Sequence, residues 1–379
     1  MHGAQPVTGT VTPGQPQTVD VRPETAPVRP GEELPWDRLA RWLVPALADV
    51  GVDVEGDMAV AQFPNGSANL TYLLTFGDHR FVLRRPPFGA IAPGAHDMKR
   101  EYRVLSKLWR SFDRAPRAYS FCDDHDVVCS DFVVSEYRRG EVIWAALPPS
   151  VRDLPDAARR IGLATVDALA ELHLVDPEAC GLGELGRPAG YMARQLAGWR
   201  HRWSLVATPD LDGVMSALGE QLERTLPASP APTIVHNDFK LDNCQFRPGE
   251  PDRVRSVFDW DQATLGDPLA DVGMLLNYWP DPSDTDGDRP LHVPGMEDLG
   301  LPTRAEVIAR YAAAIGADLS GVAWYEAFAT WKNAVVTQQL HQRYVRGEST
   351  DERMAAQAAH PPRLAARTER LLADLPGGS

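Results

Sequence analysis

The chain has 379 residues, 44% hydrophobic and 24% charged, enough for two or three domain-sized units around a real core. Its net charge of −14 disfavours nucleic acid or an anionic membrane as the main partner. No apolar run has the length of a signal-peptide core or a membrane span, so a cytoplasmic protein is expected. Cys122, Cys129, Cys180 and Cys244 lack metal-ligand spacing and read as free thiols.

Residues 1–31 read as a Pro-rich tail, with too little apolar surface to offset the entropy of ordering. The tail is expected to be disordered or loosely draped. A helix over 35–50 follows, with Trp36, Leu39, Trp42, Leu43 and Leu47 on one face. From 59 to 83 the pattern turns to strands. The connection between two of them carries Gly66, Ser67 and Asn69, whose backbone N–H groups can approach an anion. The same composition also builds ordinary hairpin turns.

The run Phe81-Val82-Leu83-Arg84-Arg85 is a strand with a basic end. In kinases a strand in this place carries a basic residue onto the α- and β-phosphates. Arg84 fills that place here, where lysine is usual; arginine keeps the charge and adds a planar fork. Arg85 points to the other face. A helix over 96–112 has an apolar stripe of Met98, Tyr102, Leu105 and Trp109, and its Glu101 can hold Arg84 by an ion pair. Val127-Val128 and Phe132-Val133-Val134 read as strands. The second runs into Glu136 and Tyr137, where a short linker offers adenine backbone donors and acceptors.

Helices are expected over 157–175 and 190–207. His173, near the end of the first, reads as a packed or capping histidine. The second carries Trp199, Arg200, His201, Arg202 and Trp203. Those residues read as packing with a solvated basic face, or as one wall of a substrate cleft.

The stretch His236-Asn237-Asp238-Phe239-Lys240-Leu241-Asp242-Asn243 organises the rest. Phosphoryl transfer needs a carboxylate to orient the attacking hydroxyl, oxygen ligands for Mg²⁺, and positive charge on the phosphates. Asp238 is the expected base and Lys240 the γ-phosphate cation. Asn243 and Asp259, the latter opening Asp259-Trp260-Asp261, are the expected metal ligands. Between them, 248–252 reads as a hairpin turn that folds Asp259 back beside Asn243. Asp267 and Pro268 open a further helix as N-cap and first residue, and Asp267 and Asp271 read as supports for the loop. The segment 280–299 is acidic and irregular, and helices are expected over 304–315, over 324–344 and up to about 375.

This order of motifs resembles the aminoglycoside phosphotransferase and choline kinase-like family, from about Pro35 to the C-terminal helices. The motifs Phe81–Pro87 and Arg100-Glu101-Tyr102 look more narrowly like the branch whose kinase domains occur beside or fused to acyl-CoA dehydrogenases. The resemblance implies an α+β, protein-kinase-like fold of two lobes, 32–134 for nucleotide and 135–379 for catalysis and substrate. It implies ATP and Mg²⁺, a small hydroxylated acceptor, Asp238 as base, and Asn243 and Asp259 as Mg²⁺ ligands. Trp199, Arg200, Trp203 and Lys332 suit an apolar acid as acceptor, whereas a true aminoglycoside, a polycation, would need carboxylates such as those over 280–299. A catalytically dead nucleotide-binding module is disfavoured, because base, metal ligands and phosphate lysine are all present. A protein kinase is disfavoured by the short link from Trp260 to Pro268.

Overall fold

The computed structural model describes residues 24–64, 69–88, 96–285, 291, 294–349 and 351–375. The fold is α+β, with a sheet-rich first part and a helical second part. Helix α1 (Trp36–Ala48) buries Leu39, Leu43 and Leu47, spaced four apart along one face. It packs beside an antiparallel sheet in the order β1-β2-β3-β5-β4. The strands are β1 (Met58–Gln62), β2 (Leu70–Phe76), β3 (His79–Arg85), β4 (Ala118–Cys122) and β5 (Phe132–Glu136). Alternate residues of β2 and β3 point into a core with Leu39, Tyr72, Leu83, Phe132 and Val134.

Residues 1–23 of the expected tail lie outside the described residues. Residues 24–31 run along β1, where Ala26 and Gln62 exchange two 2.8 Å backbone hydrogen bonds. Val127-Val128 is not a strand but the end of a short helix, α3 (His125–Val128). The Asp124 carboxylate accepts from the Asp126 N–H and starts that turn, so a local cap overrides two β-branched residues. The neighbouring strand β4 was not expected.

Helix α2 (Met98–Leu108) follows β3 and begins with an Asp97 cap on the Arg100 N–H. Its Val104, Leu105 and Leu108 join the second core, which runs through the helical part. That part contains β6 (Glu141–Val142), α4 (Ala157–His173), α5 (Tyr191–Ser204) and α6 (Asp212–Arg224). Then come β7 (Thr233–Val235), β8 (Cys244–Arg247), β9 (Glu250–Val257), β10 (Thr264–Gly266) and α7 (Pro268–Asn277). The last helices are α8 (Arg304–Ile315), α9 (Val322–Val345), α10 (Glu352–Ala355) and α11 (His360–Ala373).

Two small pairings position the site. The β8–β9 hairpin pairs Cys244 with Val257, and the Phe258 N–H donates to the Asn243 carbonyl at 2.9 Å. The hairpin therefore folds Asp259 back toward Asn243. Strand β7 pairs antiparallel with β10, which holds the loop after β7 above the start of α7. Asp267 caps α7 by accepting from the Leu269 N–H, with Pro268 as first residue. Gly273 lets α7 lie against α9: a Cβ there would come within 2.4 Å of the Tyr325 backbone.

Candidate active site

The loop after β7 is held from below by one carboxylate. Asp271, fully buried on the first turn of α7, accepts from the N–H groups of His236 and Asn237, each at 2.6 Å. His173 from α4 lies 3.2 Å from the same carboxylate, and its other ring nitrogen meets the Tyr311 hydroxyl at 2.5 Å. Burial pushes the Asp271 carboxyl up, but the His173 hydrogen bond and charge, with His236, outweigh it and leave the pKa below the usual range. Asn237 takes a left-handed conformation, φ +68°, and its side chain is gripped by the Tyr191 hydroxyl and the Gln262 carbonyl. Nε2 of His236 donates to the Phe258 carbonyl at 2.8 Å, so Nδ1 is left to accept from the Asp238 N–H.

Replacing Asp271 with Asn removes one of these acceptors and turns an amide N–H₂ toward a backbone donor. We expect Asp271→Asn to destabilise the fold by about 1–3 kcal/mol at neutral pH, measured by denaturant unfolding. The folded pKa lies below the unfolded one, so the carboxylate's contribution is full above the unfolded value, about 3.9. It is lost as pH falls through the folded value, and the gap between wild type and variant should close in acid.

With the loop fixed, its polar side chains converge. The Asn243 amide donates to the Asp238 carbonyl at 2.8 Å and to Asp238 Oδ2 at 3.1 Å. Lys240 Nζ lies 3.4 Å from Asp238 Oδ2, 3.8 Å from Asp242 Oδ2 and 5.2 Å from the Tyr278 ring centroid. Burial opposes the Lys240 charge, but Asp238 and Asp242 outweigh it and raise its pKa.

Arg84 reaches across from β3. Its guanidinium pairs with Glu101 of α2 and with Asp259, both at 2.7 Å. Two separate nitrogens make the two bonds, which the planar fork permits. Arg85 faces the other way, bonded to the Pro86 and Val128 carbonyls and stacked on Phe88 at 4.1 Å. Burial raises the Asp259 pKa, but the adjacent Arg84 outweighs it and the carboxyl stays below its usual range. Asp261 goes the other way: burial, then the Asp259 charge, pushes it up to about 7.

These groups fit a hard divalent cation. Asp259 and Asn243 carry oxygen donors on adjoining turns, and Asp261 Oδ1 is buried without a hydrogen-bond partner among the described residues. Asp261 was read from sequence only as part of an acidic cluster. The alternation Asp259-Trp260-Asp261 was the available signal, with Trp260 buried in the core between the two acids.

The remaining expected site residues divide. Gly66 and Ser67 lie outside the described residues. Asn69 is buried, with Oδ1 2.8 Å from His96 Nδ1. The Glu136 N–H donates to the Arg117 carbonyl, and its carboxylate pairs with Arg138 at 2.8 Å. The Tyr137 hydroxyl donates to the Glu24 carboxylate, and Arg80 sits over its ring. The proposed acceptor wall splits in two. Arg200 pairs with Glu223 and the Trp203 indole donates to Asp212, so both face α6. Trp199 instead faces Lys332 of α9, whose ammonium lies 5.3 Å from its ring centroid.

Residues 59–325 match the model of the phosphotransferase enzyme family. Acyl-CoA dehydrogenase family member 11 of Rattus norvegicus is 31% identical over 339 residues, covering 88% of this chain and 43% of the relative. Acyl-CoA dehydrogenase family member 10 of Mus musculus is 30% identical, covering 86% of this chain and 30% of the relative. The chain thus spans less than half the length of these curated relatives. A crystal structure of a putative aminoglycoside phosphotransferase from Ralstonia eutropha JMP134 superposes with a TM-score of 0.74 at 28% identity, covering 90% of this chain and 98% of that one. A mutant of aminoglycoside phosphotransferase APH(4)-Ia, in ternary complex with AMP-PNP and hygromycin B, gives 0.53 at 16% identity, with 88% and 97% covered; it shows the shared fold alone. The two-lobed kinase-like fold, the family match along most of the chain and the convergence of acids and bases in one cleft agree: the chain belongs to the phosphotransferase enzyme family.

Proposed function

We propose that the protein transfers the γ-phosphate of ATP, with Mg²⁺, to a hydroxyl of a small molecule, and that the acceptor is a hydroxy acid or acyl compound. The observation that carries this reading is the meeting of Asp238, Lys240 and Asn243 from one loop with the Arg84–Glu101–Asp259 chain from the opposite side. The structural neighbour that holds AMP-PNP and hygromycin B supports nucleotide use. In this reading 32–134 is the nucleotide lobe and 135–379 the catalytic lobe, and Glu136 and Tyr137 border the adenine. The protein works in the cytoplasm without nucleic acid or membrane; no described helix is long and apolar enough to cross a bilayer.

The steps follow from the side chains. Asp238 orients the acceptor hydroxyl and takes its proton as the oxygen attacks the γ-phosphorus. The bond from γ-phosphorus to the bridging oxygen breaks, and ADP leaves. Lys240 faces the negative charge on the transferring group, and Arg84 clamps the phosphates behind it. Asn243 and Asp259 would hold Mg²⁺, which neutralises charge on the phosphate oxygens when bound.

A genuine aminoglycoside phosphotransferase is the second reading, and two acids of the segment that motivated it are already engaged. Asp284 pairs with Arg304 through both oxygens at 2.7 Å, and Asp281 accepts from the Arg304 N–H. These two acids hold α8 in place, Glu297 and Asp298 are exposed, and Asp286 and Asp288 lie outside the described residues. The relatives that are acyl-CoA dehydrogenase family members support the acyl compound instead. The test is calorimetry with ATP, with and without Mg²⁺. Binding that depends on Mg²⁺ is expected, and no binding in either condition would overturn the reading.

A further inference from the structure

One cation on the cleft wall has no part in the steps above. Lys332 is on α9, partly buried between Trp331 and Asn333, which are fully packed. Its ammonium lies 5.3 Å from the Trp199 ring centroid. Arg202, one turn further along α5, puts its guanidinium 4.3 Å from the same centroid. Among the described residues neither cation has an ion-pair partner.

The acids nearest in charge are Asp238 and Asp271, and both are already engaged. Asp271 holds two backbone N–H groups and His173. Asp238 meets Lys240 and Asn243. Burial pulls the Lys332 pKa down to about 8, which Asp238 and Asp271 partly oppose and Arg202 reinforces. A half-buried cation without its own counter-charge is held at some cost to the fold. Such a group is retained at a cost that an anionic ligand can offset. The indole beneath it is buried and fixes the position of both cations.

We infer that Lys332, backed by Trp199 and Arg202, is the specificity-determining residue for the acceptor and binds a carboxylate on the molecule whose hydroxyl faces Asp238. The inference rests on the phosphotransfer reading for the identity of the hydroxyl's partner. The two cations repel polycationic sugars. They leave the chain length between carboxylate and hydroxyl to be set by the space between Lys332 and Asp238.

The probes are medium-chain hydroxyalkanoic acids with the hydroxyl at successive carbons, each paired with its primary amide. Each pair is titrated by calorimetry into the full chain with ADP and Mg²⁺, and assayed for turnover with ATP and Mg²⁺. At least one acid should bind about ten- to a hundred-fold more tightly than its amide, the range of a charge-assisted hydrogen bond. Lys332→Met should erase most of that preference, and Lys332→Arg should keep most of it. Equal binding of acid and amide to the wild type would overturn the inference, as would a Met variant that keeps the preference. So would a Met variant that loses acid and amide alike together with its melting midpoint, since that marks a structural role. If ATP and Mg²⁺ fail to bind, the proposed function falls, and the acid–amide contrast, titrated without nucleotide, still decides the role of Lys332.

Discussion

Asp238→Asn should lower turnover by about 10²–10⁴ while leaving the affinity for ATP and Mg²⁺ nearly unchanged. A positioned base contributes on that order, and the amide cannot take the hydroxyl proton. The structure favours a clean experiment. An asparagine oxygen can still accept from the Asn243 amide, now at 3.1 Å from Oδ2. Lys240 keeps Asp242 at 3.8 Å, so the lysine is not stranded. The loop backbone is held by Asp271 through His236 and Asn237, one residue before the substitution. Measuring kcat and the ATP dissociation constant across a Mg²⁺ titration checks the assignment, and near-normal turnover would remove Asp238 from the base's role.

Asp259→Asn is a different lesion. It takes a negative charge from the cation site, and hard divalent cations favour charged oxygen ligands. Metal stabilisation of transition-state charge is worth several kcal/mol, so turnover at fixed Mg²⁺ should fall by about 10³. Here the affinity for ATP with Mg²⁺ should fall as well, with partial recovery at high Mg²⁺. Arg84 keeps Glu101 in this variant, so the strand and helix around it should stay in place. If the Asp238 and Asp259 variants behaved alike across the titration, the separation of base from metal ligand would be wrong.

Much of this site was legible because its residues are close in sequence. The loop 236–243 and Asp259 are joined by one hairpin, legible from its Pro and Gly, although the turn expected over 248–252 is only 248–249 and β9 already begins at Glu250. The cap at Asp267 and the helix after Pro268 were legible for the same reason, since capping chemistry is local. Where distant chain decides, the reading thinned. The spacing allowed Arg84 and Glu101 to pair, but the second arm of Arg84, to Asp259, spans 175 residues and has no local signal. The grouping of Arg200 and Trp203 with Lys332 failed because helical spacing alone does not say which face meets α6 and which meets α9. Strand β4 and helix α6 were missed although both carry periodic inward positions: Ala118, Ser120 and Cys122 alternate inward, and Met215, Leu218 and Leu222 line one face. The Val127-Val128 reading trusted β-branching over the Asp124 cap one turn earlier.

The anchoring of the loop by Asp271 rests on side chains other than those of the proposed acceptor wall, although α5 also grips Asn237 through Tyr191. The reacting carboxylate owes its stance to α7, with α4 and α8 behind it through His173 and Tyr311. The wall proposed for the acceptor is carried by α5 and α9, through Trp199, Arg202 and Lys332. Trp199, Arg202 and Lys332 make none of the bonds to the His236 and Asn237 N–H groups, so exchanging them is expected to leave that anchor in place. In the proposed reading, chemistry and choice of acceptor are thus separable traits: one scaffold can keep its reaction while its clientele drifts, and the acceptor would be better read from α5 and α9 than from the loop.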